Sequence, residues 1–163
     1  MLSRLSDRDI ERLARGVIEC TLSKHEWTHA AHFAVALWLL RDRGSLALRQ
    51  MPRLIRAYNE ATGVANTDSG GYHETITLAS LRAAHAWLAE RRHLPLSLAL
   101  ESLLVSRFGS SELPLEFWSR ERLFSVAARR AWLEPDLRPF PFADPLSSRG
   151  PSQPIASHGL RRP

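Results

Sequence analysis

An all-α fold, a bundle of four to five core helices with a proline-rich C-terminal extension, is what this sequence predicts. Three observations carry that expectation. Apolar residues recur at three- and four-residue spacing through most of the chain. No stretch alternates with period two for long enough to make a sheet. Glycine, proline and small polar residues cluster only where one helical stretch would give way to the next.

The elements follow in order. Ser6 or Asp7 is placed to cap a first helix, and Ile10, Leu13 and Val17 give it an apolar stripe. A second helix is expected from about Ser23 to Arg43, ending near Gly44. A third runs from Leu46 or Pro52 to Thr62 and stops at Gly63. "GVANTDSGGY" then reads as a loop, with Asp68 or Ser69 near a cap and Gly70–Gly71 supplying positive φ. A fourth helix spans about Tyr72 to Arg92, and a fifth starts after Pro95 and ends near Gly109. "SSELPLEFW" is a turn region, and Ser119 caps a sixth helix reaching about Leu133. From Glu134 onward lie seven of the ten prolines, so that part cannot be helical. Phe140 and Phe142 are expected to pack its first part onto the domain. The division is one helical domain over 1–145 and a disordered tail over 146–163.

Charge and cysteine content exclude several classes. Residues 1–145 hold 19 of the 22 basic residues and all 17 acidic ones, so most of the net +5 comes from Arg149, Arg161 and Arg162. Basic and acidic residues alternate, as on a solvated helix face, which argues against nucleic-acid binding. Cys20 is the only cysteine, so no internal disulfide can form, and without a Cys-x-x-Cys there is no thiolate zinc ribbon or dithiol redox centre. The longest apolar run, "FAVALWLL", is too short to span a membrane, and the N-terminus has no secretory apolar stretch. A cytoplasmic, bacterial-type protein is expected.

The chemistry concentrates in "SKHEWTHAAHF". On a helix of about 100° per residue, His25, His29 and His32 fall within about 60° of one another. Leu39, Leu40 and Phe33 centre on the same direction, so the stripe points toward the core, with Trp27 and Trp38 on the far side. In "GGYHETITLASL", His73 leads a similar stripe with Thr77 and Ser80. Several imidazoles on core faces each need partners, and one shared metal would satisfy them together. The expected site is one divalent transition metal (Zn, Fe, Mn or Ni) on His29, His32 and His73. Glu26 and Glu74 would serve as ligand, as hydrogen-bond partner behind a ligand, or as catalytic base. The role of His25 stays open. The loop before His73 would bind a small polar or anionic substrate through Asn59, Asn66, Thr67 and Tyr72. Against this stands a second reading: a non-catalytic helical interaction domain whose histidines form a buried polar network. A homodimer fits either.

His25-Glu26-x-x-His29 also spells the zinc-protease signature, but no third ligand follows and no strand is at hand to hold a peptide. Nor is a di-iron carboxylate set complete, because "ERRH" ends on a frayed helix terminus.

Over roughly residues 20 to 140 the chain resembles a family of small bacterial proteins. The shared pattern is E-W-T-H-x-x-H, then Y-N-x-x-x-G-x-x-N-T, then Y-H-E-T, with "ARRAWLEPDLRP" further on. The resemblance implies no particular reaction. Residue by residue it singles out Glu26, His29, His32, Asn59, Asn66, Thr67, Tyr72, His73 and Glu74, and leaves out His25.

Overall fold

A computed structural model describes residues 4–147, and the segment expected to be a disordered tail lies almost wholly outside them. The fold is all-α, with no strand among the described residues. No helix there is long and apolar enough to cross a membrane.

Helix α1, Asp7–Ile18, starts at a capping box: Ser6 accepts from the Asp9 amide while Asp9 takes the Ser6 amide. Ile10, Leu13, Ala14 and Val17 form its buried face. Helix α2 is shorter than expected, His29–Arg43. Lys24–Glu26 form a separate 3-10 turn, and Thr28 caps α2 by accepting from the Ala31 amide at 3.2 Å. The spelling H-E-x-x-H is therefore not helical, and His25 leaves the stripe. Helix α2 is apolar on every side, with Ala31, Phe33, Ala34, Val35, Ala36, Leu37, Leu39 and Leu40 all buried. A helix of that kind belongs in the middle of a bundle. It packs against α1, against α3 (Ala47–Ala61), against α4 (Glu74–Glu90) and against α5 (Leu96–Leu104).

The first core lies among these five helices. The Asp7 carboxylate supplies a cap for α5, accepting from the Ser97 amide at 2.8 Å and the Leu96 amide at 3.3 Å. Helix α5 ends at Leu104, and a 3-10 turn carries the chain to Gly109. The expected sixth helix is two short ones, α6 (Arg120–Leu123) and α7 (Val126–Arg130). Ser119 caps α6, and Ser125 interrupts the run by capping α7.

A second, smaller core joins Ala79 and Ala83 of α4 to Leu113, Phe117, Trp118 and Leu123. Trp132, Phe140 and Phe142 pack against it. The proline-rich stretch is thus tied to the bundle by aromatic contacts, Phe140 meeting Phe117 and Trp118 at about 5 Å between ring centres. Leu137 donates its amide to the Phe117 carbonyl, and the Trp118 indole donates to Leu133.

Candidate functional site

Where α2, α3 and α4 splay apart, the turn at 110–114 closes a pocket of about 570 Å³. That size suits a small organic molecule. The pocket collects His29, His32, Asn59, Tyr72 and His73, five of the residues singled out in the sequence. It adds Trp27, Thr77, Ser80, Ser110 and Ser111. Apolar walls come from Phe33, Ala36, Met51, Ile55, Ile76 and Leu81. No Asp, Glu, Lys or Arg lines it among the described residues.

The three histidines are held in three different ways. His29 opens α2 at the rim of the pocket, where it is exposed rather than core-facing. Its Nε2 donates to the Gly109 carbonyl at 2.7 Å, and its ring meets Phe33 edge-on. His32 is half-buried, and its Nδ1 donates to the Thr28 carbonyl at 2.7 Å. The Trp27 indole stacks on the His32 ring at 3.8 Å. Helical periodicity placed Trp27 away from the histidines, but it lies before the helix begins. Burial pushes the His32 pKa below its ordinary value, against the Thr28 hydrogen bond and in step with the neighbouring His29.

His73 is buried and precedes α4 rather than belonging to it. Its Nε2 donates to the Leu123 carbonyl at 2.9 Å. Its Nδ1 accepts from the Ile76 amide at 3.3 Å, so the imidazole caps the helix. Both ring nitrogens are used, and burial lowers the pKa, which keeps the ring neutral.

A backbone carbonyl only accepts, so each bonded nitrogen must carry the proton. That leaves Nδ1 of His29 and Nε2 of His32 as lone pairs with no protein partner among the described residues. His73 has none to give. No group of three or more His, Cys, Asp or Glu side chains is placed to hold a metal among the described residues.

Neither carboxylate named as a candidate base lines the pocket. Glu26 turns toward α1, accepting from Arg12 at 2.8 Å and from the Ser23 hydroxyl at 2.6 Å. The Ser23 hydrogen bond, then Arg12, hold its pKa below the usual carboxylate value. Glu74 pairs with Arg56 at 2.9 Å and lines a groove on the outer side of α3 and α4. Tyr72 sits under the Arg56 guanidinium, 3.9 Å from its ring centre. The Tyr72 Oη is buried and makes no full hydrogen bond among the described residues, with Glu74 and Thr77 beside it. Burial and the Glu74 charge push its pKa far up.

Asn66 and Thr67 build the loop that walls the pocket and do not line it. Asn66 Oδ1 accepts from Asn59 Nδ2 at 2.9 Å and from the Tyr72 amide at 3.1 Å. Its Nδ2 donates to the Arg56 carbonyl at 3.2 Å. The Thr67 hydroxyl accepts from the Gly70 amide at 3.1 Å. Gly71, at φ +73°, lets the chain pass so close to Ala65 that a Cβ would run into its carbonyl. Asp68 is gripped from outside by Arg130, both oxygens at 2.7 Å, and Arg129 donates to the Tyr72 carbonyl at 3.1 Å. This is the role of "ARR" at 128–130.

No known family model matches this chain, and neither the curated proteins nor the solved structures offer a match. The functional reading therefore rests on the pocket. Trp27, Ser110 and Ser111 are the residues sequence reasoning missed. Trp27 left one signal, its place directly before a Thr-x-x cap; the two serines left none, because only the tertiary fold brings the turn at 110–114 to α2.

Proposed function

We propose that this chain binds a small, uncharged organic molecule bearing hydrogen-bond donors, such as a hydroxyl or primary amide, in the pocket between α2, α3 and α4. One observation supports it above the rest: a pocket with no charged lining residue among the described residues holds two imidazoles, each with one ring nitrogen, a lone pair in the neutral tautomer, that has no protein partner there. Those lone pairs would accept from the ligand, while Trp27, Phe33, Ile55 and Ile76 would cover its apolar part. An anionic ligand, the alternative raised by the sequence, would meet no Lys or Arg side chain there among the described residues.

A divalent metal is the second occupant. Neutral imidazole nitrogens are the form a metal takes, and His29 and His32 present two of them from one helical turn. His73 would have to give up a helix cap or the Leu123 contact to join them, so the three-histidine set does not fit this arrangement. Water or the organic ligand would fill the remaining positions.

Ligand-observed NMR with a library of neutral, anionic and cationic fragments separates the readings, alongside plasma mass spectrometry of protein purified without a tag. Neutral donors, phenols and amides among them, are expected to bind. His32→Phe keeps the stack on Trp27 and removes the acceptor, and should weaken them about fivefold, the worth of one hydrogen bond of about 1 kcal/mol. Preferential binding of carboxylates, or no change in His32→Phe, defeats the proposal. More than about half an equivalent of a transition metal, lost in His32→Phe, would replace it with the metal reading.

A further inference from the structure

A second concave site lies on the opposite side of the α3–α4 pair from the pocket. It is a groove of about 300 Å³ lined by Arg49, Arg53 and Arg56 of α3, Glu74, Leu78 and Arg82 of α4, and Asp144 and Leu146 of the C-terminal stretch. Four guanidinium groups meet two carboxylates there. Glu74 is taken by Arg56. Arg49 and Arg53 are exposed, four residues apart on one helix, and pair with no carboxylate among the described residues.

Arg82 is the unusual member. Its side chain is only 11% exposed, yet among the described residues its ion pairing is a single contact to Asp144 at 3.3 Å. The Arg82 Nε is buried with no hydrogen-bond partner among the described residues. The guanidinium carbon lies over the Trp132 ring, 3.8 Å from its centre, a cation–π contact that holds the group against the indole. A buried cation with so few acceptors is costly, and burial drags its pKa down against the pull of Asp144 and Glu134. Asp144 is a poor partner, because its other oxygen accepts from the Leu146 amide at 2.9 Å. One carboxylate oxygen must stand where a fork of donors expects two or three.

We propose that this groove is a binding site for a phosphate-type oxyanion, whose place on Arg82 the Asp144 carboxylate now occupies in part. An anion of two or more charges and several oxygens would take Arg82 bidentately and draw in Arg49 and Arg53. The 144–146 segment would be displaced from Arg82, so binding would compete with the Asp144 contact. This site is independent of the uncharged pocket and stands whether or not that pocket binds a ligand.

Inorganic pyrophosphate, titrated by calorimetry into the full chain at low salt, is the probe, with chloride as control. Saturable one-to-one binding is expected. Asp144→Asn removes the competing charge and should tighten it about fivefold or more. Arg49→Gln with Arg53→Gln, both exposed and so without effect on folding, should weaken it about tenfold; Arg82→Met should abolish it. Vesicles rich in phosphatidic acid serve as a second arm: retention of the chain on them, lost in the Arg49/Arg53 variant, assigns the phosphate to a lipid headgroup, and its absence assigns it to a free phosphate compound. Pyrophosphate affinity equal to that of chloride overturns the proposal, as does affinity unchanged by the Arg49/Arg53 pair. Weaker binding in Asp144→Asn does so too.

Discussion

At position 73 an imidazole stands where serine, threonine, aspartate or asparagine usually caps a helix. It does two things at once, receiving the Ile76 amide and donating to Leu123 of the short helix α6. His73→Ala loses both and leaves a buried carbonyl unmet, a destabilisation of about 1–3 kcal/mol. His73→Asn restores the cap but is too short to reach Leu123, so it should recover about half of that in urea unfolding. Equal losses in the two variants would show that capping is not what His73 contributes. The sequence marked His73 as a polar group turned inward, and it is buried. What it could not show was that both nitrogens are already committed, because one partner lies 50 residues further along. His29 is a parallel case, with its partner Gly109 80 residues away.

At the scale of elements, the 62–73 connection behaves as a structured wall. Asn66 joins the end of α3 to the start of α4 through Asn59, the Arg56 carbonyl and the Tyr72 amide. Asn66→Ala should cost about 1–3 kcal/mol and speed hydrogen exchange at the Tyr72 amide by local opening, with α1 amides changed far less. Protection of that amide at its original level would mean the loop is held by other contacts, Arg130 to Asp68 foremost. The sequence showed this stretch to be a polar, glycine-bearing loop, which it is. It assigned Asn66 and Thr67 to a ligand because an amide or hydroxyl serves backbone and ligand equally well. The start of α2 lies later in the chain than the sequence predicts, for a related reason. Ser23–Trp27 suits a helix by composition, but the Thr28 side chain caps the chain at that point and a 3-10 turn precedes it.

For the whole molecule, stability should depend on pH in three windows. Burial lowers the pKa of His32, His73 and His85 below 6.5, so below that pH the unfolded chain takes up protons that the folded chain refuses. Melting temperature should therefore fall as pH drops from about 6.5 toward 5, and less steeply in His73→Asn. Asp7, Asp9, Glu26 and Asp136 have lowered pKa values, so their contribution is present above the ordinary carboxylate range and is lost in more acid solution. Tyr58 and Tyr72 are raised above 10.0, so stability should fall again in base, where only the unfolded chain ionises. Calorimetric scans across these ranges check all three. A melting temperature that rises on acidification from 6.5 to 5 would mean that the histidines are stabilised as cations, which at His73 conflicts with the Ile76 amide donated to its Nδ1.

The amino-acid pattern alone carries the all-helical class, a capped start of α1 at Ser6 or Asp7, and a proline-rich ending with two phenylalanines that pack on the domain. These depend on periodicity, capping and proline, which act over a turn or two of chain. What each polar atom does follows from contacts between segments far apart in the chain. The tertiary structure turned Glu26 to Arg12 and Glu74 to Arg56, spent both nitrogens of His73, and left one lone pair each on His29 and His32. A polar atom takes whichever partner the fold brings within about 3 Å, and here those partners come from segments tens of residues away.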